Sequence, residues 1–589
     1  MKTLIISMPW SRQDIVSIQL GALKAYLMQE GFCVDTRHYY KDIVGFIGSE
    51  CYRDISLNGL CDVVFSPLYS SHLKSNVDEY IRRFLGSNFD YDSLLDKLHS
   101  FIDAIMDDID WGEYTNIAFT TSLVQFIPSL YLARKIKSIH PSVNIIFGGA
   151  SLVGTVANKV LELFTDIDFV IKGEGEHTLT SLLKYVEAHN LSYFEIDGLV
   201  FRDELNRIVS NKERALICDL NSLPAPDFDD YFNFALAERG TSFPILTVES
   251  SRGCFWGDCS FCNLNIQWNN SYREKDADKV LHEIITQSSK YKVLDFFFTD
   301  SNVSNKRGLF KLLKEQNRDY IFYAEVSGHL SREDFADMHS AGVRDIQIGI
   351  ESFDSSLLKK FNKGVTVMRN IEMLKWCCEF GIELFYNVIS GFPNTIQHEA
   401  DNTLANMKYA QYFHPPVVTE YCLSIESEVY RNYLKYNIDS WKVPDEYRLL
   451  YDNIFLEETA PLLNSIVGYE AVLKNNEQIN WNNVIIFSEY WRKTFDLNKG
   501  KSALTWYDGG EFITIKKILC DYTESYTLSG IAKDIYVFCL DESKSFHEIV
   551  EKLGDENSDV ISKCIQDMYE LQIMFVEDNL CFSLALKCK

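Results

Sequence analysis

The chain lacks several features that mark common functional classes. No apolar run approaches the roughly 18 residues that a membrane span requires. Residues 1–10 lack the basic start, apolar core and cleavage site of a secretion signal. Only 12 prolines occur in 589 residues, which argues against long disordered segments. We therefore expect a soluble, cytoplasmic protein with no membrane partner.

Basic residues are also scarce relative to acidic ones. The sequence has 57 Lys and Arg against 84 Asp and Glu, for a net charge of −27. Such a balance gives no overall basic surface for a phosphate backbone, so nucleic acid is not an expected partner. The length exceeds what one hydrophobic core supports and predicts roughly three or four domains.

Short apolar runs alternate with amphipathic stretches over residues 1–195, which is the rhythm of βαβ units. This pattern predicts a Rossmann-like, doubly wound parallel sheet with ligands at the carboxyl ends of its strands. The predicted strands are 3–7, 117–122, 144–149 and 168–173, and the predicted helices are 20–30 and 127–139.

A proline-containing, acidic connector (196–242) precedes a second run of the same rhythm. The second run (243–430) predicts a partial (β/α)6 TIM-type barrel, whose chemistry lies at the carboxyl ends of the strands. Its predicted strands are 245–250, 293–299, 321–326, 345–350, 383–389 and 417–423. The remainder (431–589) is predicted to be mainly helical. It ends in a winged-helix-like unit with a capping box at Ser545 and Glu548, a helix over 558–571 and a hairpin over 573–586.

The most specific local signal is a group of three cysteines. Cys254, Cys259 and Cys262 stand in C-x4-C-x2-C spacing directly after the first predicted barrel strand. A structural zinc site needs a fourth ligand, and the following candidates (His282, Cys377 and Cys378) are distant and on predicted helices. Inert buried cysteines remain another alternative. A [4Fe–4S] cluster on three cysteines leaves one iron open for substrate.

The cysteine loop resembles that of the radical SAM enzymes, in which a C-x3-C-x2-C loop follows the first barrel strand; here the first gap has four residues. The downstream segments YAEVSGHLS, DIQIGIESF, NKGVT and NVISGFPNT look like strand-end motifs of the branch that also carries a cobalamin-binding domain. The resemblance implies a [4Fe–4S] cluster on the three cysteines and S-adenosyl-L-methionine (SAM) at the open iron. The implied SAM contacts are Phe261, against adenine, with Asp300, Glu325, Ser327, Glu351 and Asn387.

A further resemblance concerns the first domain. Thr121-Ser122-Leu123, followed by Gly148-Gly149, looks like the T/S-x-L…GG pattern of cobalamin-binding domains. The motif D-x-H-x-x-G is absent, so the resemblance implies cobalamin without a histidine beneath cobalt. The implied cobalamin contacts are Thr121, Ser122, Leu123, Gln125, Gly148, Gly149, Ala150, Gly173, Glu174, Gly175 and Glu176.

Together with MPWSRQDIVSIQLGALKAYL, LPAPDFDDYF and SLAL, these segments resemble cobalamin-dependent radical SAM C-methyltransferases that mature ribosomally synthesised peptides (RiPPs). The resemblance implies that one SAM methylates cobalamin and a second yields the 5′-deoxyadenosyl radical. It also implies a precursor peptide as substrate and a flavodoxin- or ferredoxin-like electron donor. Two segments depart from the family pattern: 423–426 replaces an R-F-S-P-like motif, and 391–395 replaces G-F-P-G-E.

Two alternatives remain open. One is a cobalamin-binding radical SAM enzyme that catalyses an oxidation, rearrangement or cross-link without methyl transfer. The other is an iron–sulfur or cobalamin sensor without catalysis. We expect the C-terminal unit either to hold the leader or follower part of a peptide or to act as a lid that completes the fold.

Overall fold

The structure is a computed structural model. It describes residues 1–122, 124–150, 152, 154, 156–189, 192–236, 243–265, 268–442, 470–474 and 479–588. Among the helices in these ranges, none combines the length and apolarity needed to cross a bilayer. The fold is mixed α/β and contains two parallel sheets.

The first sheet has the strand order β2-β1-β3-β4-β5-β6-β7. Strands β1 to β5 are parallel, and β6 and β7 add an antiparallel edge. All four strands predicted in this part of the chain are present. The strands are β1 Lys2–Ser7, β2 Cys33–His38, β3 Asn116–Thr120, β4 Asn144–Gly148, β5 Phe169–Ile171, β6 Leu199–Arg202 and β7 Ile208–Ser210.

Helices cover both faces of this sheet. Leu4 and Ile6 of β1 pack into one core, whereas Ile5 between them packs into a second core on the opposite face. Successive side chains of a strand point to opposite faces, so both faces are buried, as in doubly wound folds. The helices are α1 Ile18–Gln29, α2 Val44–Ile47, α3 Ser49–Leu57, α4 Ser66–Tyr69, α5 Lys74–Leu85, α6 Tyr91–Asp108, α7 Phe126–Ile139, α8 Val156–Leu163, α9 Gly175–Glu187 and, in the connector, α10 Asp229–Asn233.

The second sheet follows chain order, β8-β11-β12-β13-β14, with a short parallel pair β15-β16 beyond it. A bridge between Glu351 and Val388 joins that pair to the end of β13. All six predicted strands are present, although the fifth is interrupted at Tyr386. The strands are β8 Leu246–Val248, β9 Ser251–Arg252, β10 Arg273–Glu274, β11 Asp295–Phe298, β12 Ile321–Val326, β13 Val343–Ile348, β14 Glu383–Phe385, β15 Asn387–Ser390 and β16 Val417–Glu420.

One face of this sheet packs on helices, and the opposite face, which we call the lumen, is partly exposed. Along β12, Phe322, Ala324 and Val326 are buried in the core, while Tyr323 and Glu325 lie on the lumen side and remain partly exposed. The helices are α11 Ala277–Tyr291, α12 Arg307–Glu315, α13 Arg332–Ala341, α14 Ser355–Lys360, α15 Val367–Phe380, α16 Gln397–Ala410 and α17 Glu428–Arg431.

The two sheets meet along the edge strand β8. At its start, Val16 N donates to Ile245 O (3.0 Å) and Ile245 N donates to Asp14 O (2.7 Å). Beyond its end, Arg252 pairs with acidic residues that follow β5. The segment after β1 and the segment after β5 therefore both hold the first strand of the second sheet.

The C-terminal part differs from the sequence-based expectation. The prediction of a mainly helical region is wrong for residues 504–529, which form three long strands. Buried residues alternate along Phe512–Ile518, and Gly509-Gly510 turns the first hairpin, a pattern typical of strands. The elements are β17 Ile438–Lys442, β18 Glu470–Leu473, α18 Asn482–Leu497, β19 Leu504–Asp508, β20 Phe512–Ile518, β21 Thr523–Ser529, α19 Gly530–Phe538, β22 Lys544–Ser545, α20 Phe546–Leu553, α21 Ser558–Glu570, β23 Met574–Glu577, β24 Leu580–Ser583 and β25 Leu586–Lys587.

The predicted helices and hairpin at the C-terminus are present, including the capping box at Ser545 and Glu548. This unit packs on the outside of α15. Lys375 Nζ donates to Leu540 O (2.6 Å) and Ser583 O (2.7 Å), and Glu577 accepts from Met368 N (2.6 Å) at the start of the helix. The unit shares one continuous core with the second sheet.

Candidate active site

The cysteine loop begins immediately after β9, and its first turn requires glycine. Gly253 has φ +90°, and a Cβ there would lie 2.3 Å from the carbonyl oxygen of Ser271. Asn265 then clamps the first cysteine: its Oδ1 accepts from Cys254 N (2.6 Å), and its Nδ2 donates to Cys254 O (3.1 Å). The backbone of Cys254 is thus held from two sides.

The three thiols lie close enough to influence one another electrostatically. Burial raises the pKa of Cys259 to about 11, Lys363 opposes this shift, and negative charge on Cys262 and Cys254 adds to it. Burial likewise raises the pKa of Cys262. Thiolates at this loop therefore need a compensating cation. In the part of the chain that the structure describes, no three His, Cys, Asp or Glu side chains are arranged around a single-metal site.

The longer gap between the first two cysteines is anchored by Trp256. Its indole Nε1 donates to Asn362 O (2.9 Å), and its ring lies 4.8 Å from the ring of His329. Gly364 has φ +68°, and a Cβ there would be 2.3 Å from the Trp256 ring, so only glycine fits beneath the indole. The cysteine loop therefore packs on Asn362-Lys363-Gly364. The sequence pattern indicated this segment as part of a family motif but did not indicate this contact.

Phe261 and Glu351 lie near Lys363, and the backbone of Asn387 contacts that of Glu351. Lys363 Nζ lies 3.3 Å from Glu351 Oε1 and 5.9 Å from the centre of the Phe261 ring. Glu351 has φ +60°, an uncommon conformation for a non-glycine residue, and its amide donates to Asn387 O (3.0 Å). Burial works against the charge of Lys363, but Glu351 and the two nearby cysteines outweigh it and raise the lysine pKa.

Asp300, a predicted SAM contact, lies beneath the two residues that precede the cysteine loop. It is fully buried and accepts from Ser250 N (3.0 Å), Ser250 Oγ (2.6 Å) and the Ser251 hydroxyl. Burial raises its pKa, and these donors oppose the shift. The carboxylate thus supports the two residues that lead into the cysteine loop. The predicted contact between Asp300 and SAM stays a prediction.

Glu325 and Ser327 lie at the carboxyl end of β12, on the lumen side. Burial raises the pKa of Glu325 to about 7, because no cation or donor among the described residues compensates its charge. Ser327 Oγ is 3.2 Å from His329 Nδ1, and its backbone amide donates to Ser304 Oγ (2.7 Å). Below them, Tyr323 stacks on Phe297 with ring centres 4.5 Å apart. The lumen therefore presents one polar end and one aromatic wall.

A second group of predicted residues meets at the carboxyl edge of the first sheet. Gln125 spans the ends of β1 and β3: its Nε2 donates to Ser7 Oγ (3.1 Å) and Met8 O (2.6 Å), and its Oε1 accepts from Ser122 N (3.1 Å). In a sheet of order β2-β1-β3-β4-β5, the chain connections after β1 and β3 lead in opposite directions. This leaves a crevice for ligands between the carboxyl ends of these two strands.

Thr121, Gly148 and Gly149 form the adjoining turn. Thr121 donates through its amide (2.8 Å) and its hydroxyl (3.0 Å) to Gly148 O. Gly149 has φ +128°, and a Cβ there would lie 2.2 Å from Thr121 O. Ala150 beside it is exposed, and Leu123 lies outside the described residues. The two strand ends thus approach each other as closely as glycine permits.

Glu174 and Glu176 are held by arginines of the short antiparallel pair β9–β10, which is separate from the second sheet. Arg252 Nη1 lies 2.7 Å from Glu174 Oε1, and Arg252 Nη2 lies 2.7 Å from Glu176 Oε1. Glu249 (2.9 Å from Arg252) and Arg273 (2.9 Å from Glu174) complete the cluster. The side chains predicted to face cobalamin therefore form a buried connection to the strand before Cys254. Gly173 (φ +71°) and Gly175 supply the flanking backbone of that turn.

Residues 248–406 match the Radical SAM superfamily. The matched segment is thus a radical SAM domain that contains the three cysteines and the strand ends of the lumen. A [4Fe–4S] cluster and SAM are the cofactors of this superfamily, and three thiols on one loop fit such a cluster.

Larger parts of the chain also resemble known proteins. An uncharacterized methyltransferase of Pyrococcus horikoshii is 24% identical over 53% of this chain and 71% of its own length. The hopanoid C-3 methylase of Methylococcus capsulatus is 26% identical over 46% of this chain and 52% of its own. Among solved structures, the radical SAM methyltransferase TsrM of Kitasatospora setae, with tryptophan and a SAM analogue bound, superposes with a TM-score of 0.51. That comparison covers 73% of this chain and 75% of TsrM at 14% identity, so it concerns the fold.

Three residues of the radical SAM domain site were not anticipated as functional: Asn265, Lys363 and Arg252. Lys363 lies within the NKGVT segment, so its motif was visible although its proximity to the thiols was not. Asn265 and Arg252 flank the cysteines in the sequence, but nothing in their spacing indicates a backbone clamp or an ion cluster. These roles depend on partners 11 and 78 residues away.

Proposed function

We propose that this protein is a cobalamin-dependent radical SAM C-methyltransferase that acts on an unactivated carbon of a ribosomally synthesised precursor peptide. The proposed organisation is a cobalamin-binding domain (1–195), a connector (196–242), a radical SAM partial barrel (243–430) and a C-terminal domain (431–589). The observation that carries the proposal is the Arg252 cluster. It ties the turn after β5, at the carboxyl edge of the first sheet, to the strand that enters the cysteine loop.

When bound, the cluster supplies reductive cleavage of SAM, and cobalamin supplies a transferable methyl group. The chain's own contribution is positioning and electrostatics. Cys254, Cys259 and Cys262 would hold the cluster, and Lys363 would offset part of the negative charge of the thiolates. Phe261 would pack against adenine, and Glu325 would accept a hydrogen bond from bound SAM.

The crevice beside Gln125 and the turn at Gly149 would hold the nucleotide tail of cobalamin. Because a Cβ is excluded at Gly149, the backbone there leaves room for close approach of a ligand. Support also comes from the relatives, two of which are named as methyltransferase or methylase. TsrM has been solved with cobalamin and a [4Fe–4S] cluster bound.

The proposed peptide would enter the open lumen, and a flavodoxin- or ferredoxin-like protein would deliver the electron. The C-terminal unit would hold the leader or follower segment of the peptide. Its attachment to the outside of α15 supports a fixed platform better than a moving lid, since buried hydrogen bonds join the two.

The test is anaerobic reconstitution with iron, sulfide and hydroxocobalamin, followed by metal analysis and incubation with SAM and a reductant. We expect about four irons and one cobalt per chain, and 5′-deoxyadenosine as a product. Simultaneous Cys254→Ala, Cys259→Ala and Cys262→Ala should abolish both iron binding and 5′-deoxyadenosine. SAM cleavage that survives this change, or iron uptake without cobalt, would contradict the proposal.

A second candidate is a radical reaction without methyl transfer. It is favoured by the similarity to the anaerobic magnesium-protoporphyrin IX monomethyl ester cyclase of Cereibacter sphaeroides, 27% identical over 52% of both chains. SAM with an isotopically labelled methyl group separates the two, since only methyl transfer places the label in the peptide. Absence of 5′-deoxyadenosine with every peptide tested would instead favour a sensor.

A further inference from the structure

A second cysteine–histidine arrangement lies at the opposite end of the barrel strands from the cysteine loop. Cys378 is near the end of α15, His414 follows α16, and Glu383 is the first residue of β14. Asn387, on the proposed SAM side, starts β15 beyond the carboxyl end of β14. The arrangement therefore belongs to a different surface from the proposed SAM site.

Both nitrogens of the His414 ring face an acidic group. Nδ1 lies 3.2 Å from Cys378 Sγ, and Nε2 lies 3.5 Å from Glu383 Oε2. The ring is buried, with 4% of the residue exposed. It packs against Phe495 (centre distance 4.9 Å), and its backbone carbonyl accepts from Tyr386 Oη (2.8 Å). The imidazole is thus fixed between a thiol and a carboxylate.

The local charges favour a protonated ring. Burial lowers the pKa of His414, but the negative charges of Cys378 and Glu383 outweigh burial and raise it to about 10. Other ionisable groups near the pair are Cys377 on α15, Tyr386 before β15, Arg492 on α18 and Asp345 on β13, which lies beside Glu383 on the neighbouring strand. Burial raises the pKa values of Cys377 and Tyr386 and keeps both neutral, so they add no charge that would break the pair.

Cys378 is also accessible. It is half-buried, whereas its neighbour Cys377 is fully buried. The side chain of Glu383 is 53% exposed, so solvent reaches the acidic end of the arrangement. A thiol beside a cationic imidazole that a carboxylate orients has the geometry of an activated nucleophile.

We propose that Cys378 is a nucleophilic thiol that takes up low-molecular-weight thiols from their disulfides. In this step the Cys378 thiolate attacks one sulfur of a disulfide RS–SR, a new S–S bond forms to that sulfur, and the original S–S bond breaks. The released RS⁻ takes a proton from solvent, so the exchange needs no further oxidant. His414 and Glu383 act as positioning residues, because they hold the thiolate without forming a bond to the disulfide.

The experiment uses the anaerobically reconstituted full-length protein, with iodoacetamide and glutathione disulfide as probes and peptide mass spectrometry as readout. At about pH 6.5 we expect Cys378 to react at least about tenfold faster than the exposed Cys33 and Cys218. Raising the pH to about 8.5 should accelerate Cys33 far more than Cys378, because the His414 imidazole lies 3.2 Å from Cys378 Sγ and favours nucleophilic attack by that sulfur already at the lower pH. Equal rates at pH 6.5 would overturn the proposal.

Two variants test the positioning roles. His414→Gln should slow alkylation of Cys378 at pH 6.5 about tenfold and restore an ordinary pH dependence. Because His414 is buried, Glu383→Gln at the exposed end provides the milder change, with an expected slowing of about two- to fivefold. An unaltered Cys378 rate in the folded Glu383→Gln protein would refute the role of the carboxylate. Since the readout is labelling, these outcomes are independent of whether the protein methylates a peptide.

Discussion

The Arg252 cluster makes the sharpest stability prediction. The guanidinium is 5% exposed and contacts Glu174, Glu176 and Glu249 at 2.7 to 2.9 Å. Arg252→Met keeps most of the side-chain volume but removes the cation that these carboxylates share. Among the described residues, Arg273 then remains as a partner of Glu174. Removing one partner of a buried ion pair costs about 3–5 kcal/mol. We expect Arg252→Met to lower the free energy of unfolding by about that amount.

The assay is urea unfolding of the cofactor-free protein, followed by circular dichroism, with Arg83→Met as the matched control. Arg83 pairs with Glu79 at 2.7 Å, but both side chains are more than 60% exposed. An exposed helical pair of this kind contributes about 0.3–0.5 kcal/mol. A second readout is cobalt retention after desalting, which should fall in Arg252→Met because the turn after β5 loses its attachment.

Equal destabilisation in the two variants would refute this reasoning, since the argument depends on burial rather than on charge pairing as such. A loss of less than about 1 kcal/mol in the free energy of unfolding of Arg252→Met would also refute this reasoning. Restored stability in a variant that also carries Glu174→Gln and Glu176→Gln would support the unpaired carboxylates as the cause.

Three further predictions concern individual positions. Gly149→Ala should weaken cobalamin retention and leave the iron content near normal, because the added Cβ would lie 2.2 Å from Thr121 O. Gly154→Ala is the control, since Gly154 also has a positive φ (+56°) but has open space around it. Equal cobalt retention in the two variants would contradict the proposed cobalamin position. Glu325→Gln should raise the thermal midpoint of the cofactor-free protein more at pH 8 than at pH 5. The folded pKa of Glu325 is about 7 and the unfolded pKa is about 4.3, so the wild-type protein loses stability as the pH rises between these values. A difference in thermal midpoint that does not depend on pH would contradict the raised pKa of Glu325. Gly364→Ala should displace Trp256 and lower iron content, whereas Gly308→Ala, in open space, should not.

Short-range patterns accounted for the elements that surround the site. The short apolar runs at 3–7, 144–149 and 321–326 identified strands, because short apolar runs between turn signals are typical of strands buried in a sheet. The hairpins over 504–529 were missed even though Asp508-Gly509-Gly510 is a turn signal, since polar residues dominate their exposed face. The cysteine spacing identified the loop because three closely spaced cysteines at one strand end are typical of a metal or cluster site.

The sequence by itself determined the order of the strands along the chain, the position of the cysteine loop and the glycines at tight turns. Only the tertiary structure decided which charges meet. Asp300 is a buried support for Ser250, and Lys363 lies between Glu351 and the thiols. Arg252 joins the strand that precedes the cysteine loop to Glu174 and Glu176 after β5. Periodicity and turn chemistry act over a few residues and leave a readable pattern, whereas the partner of a buried charge is set by which distant segments pack together.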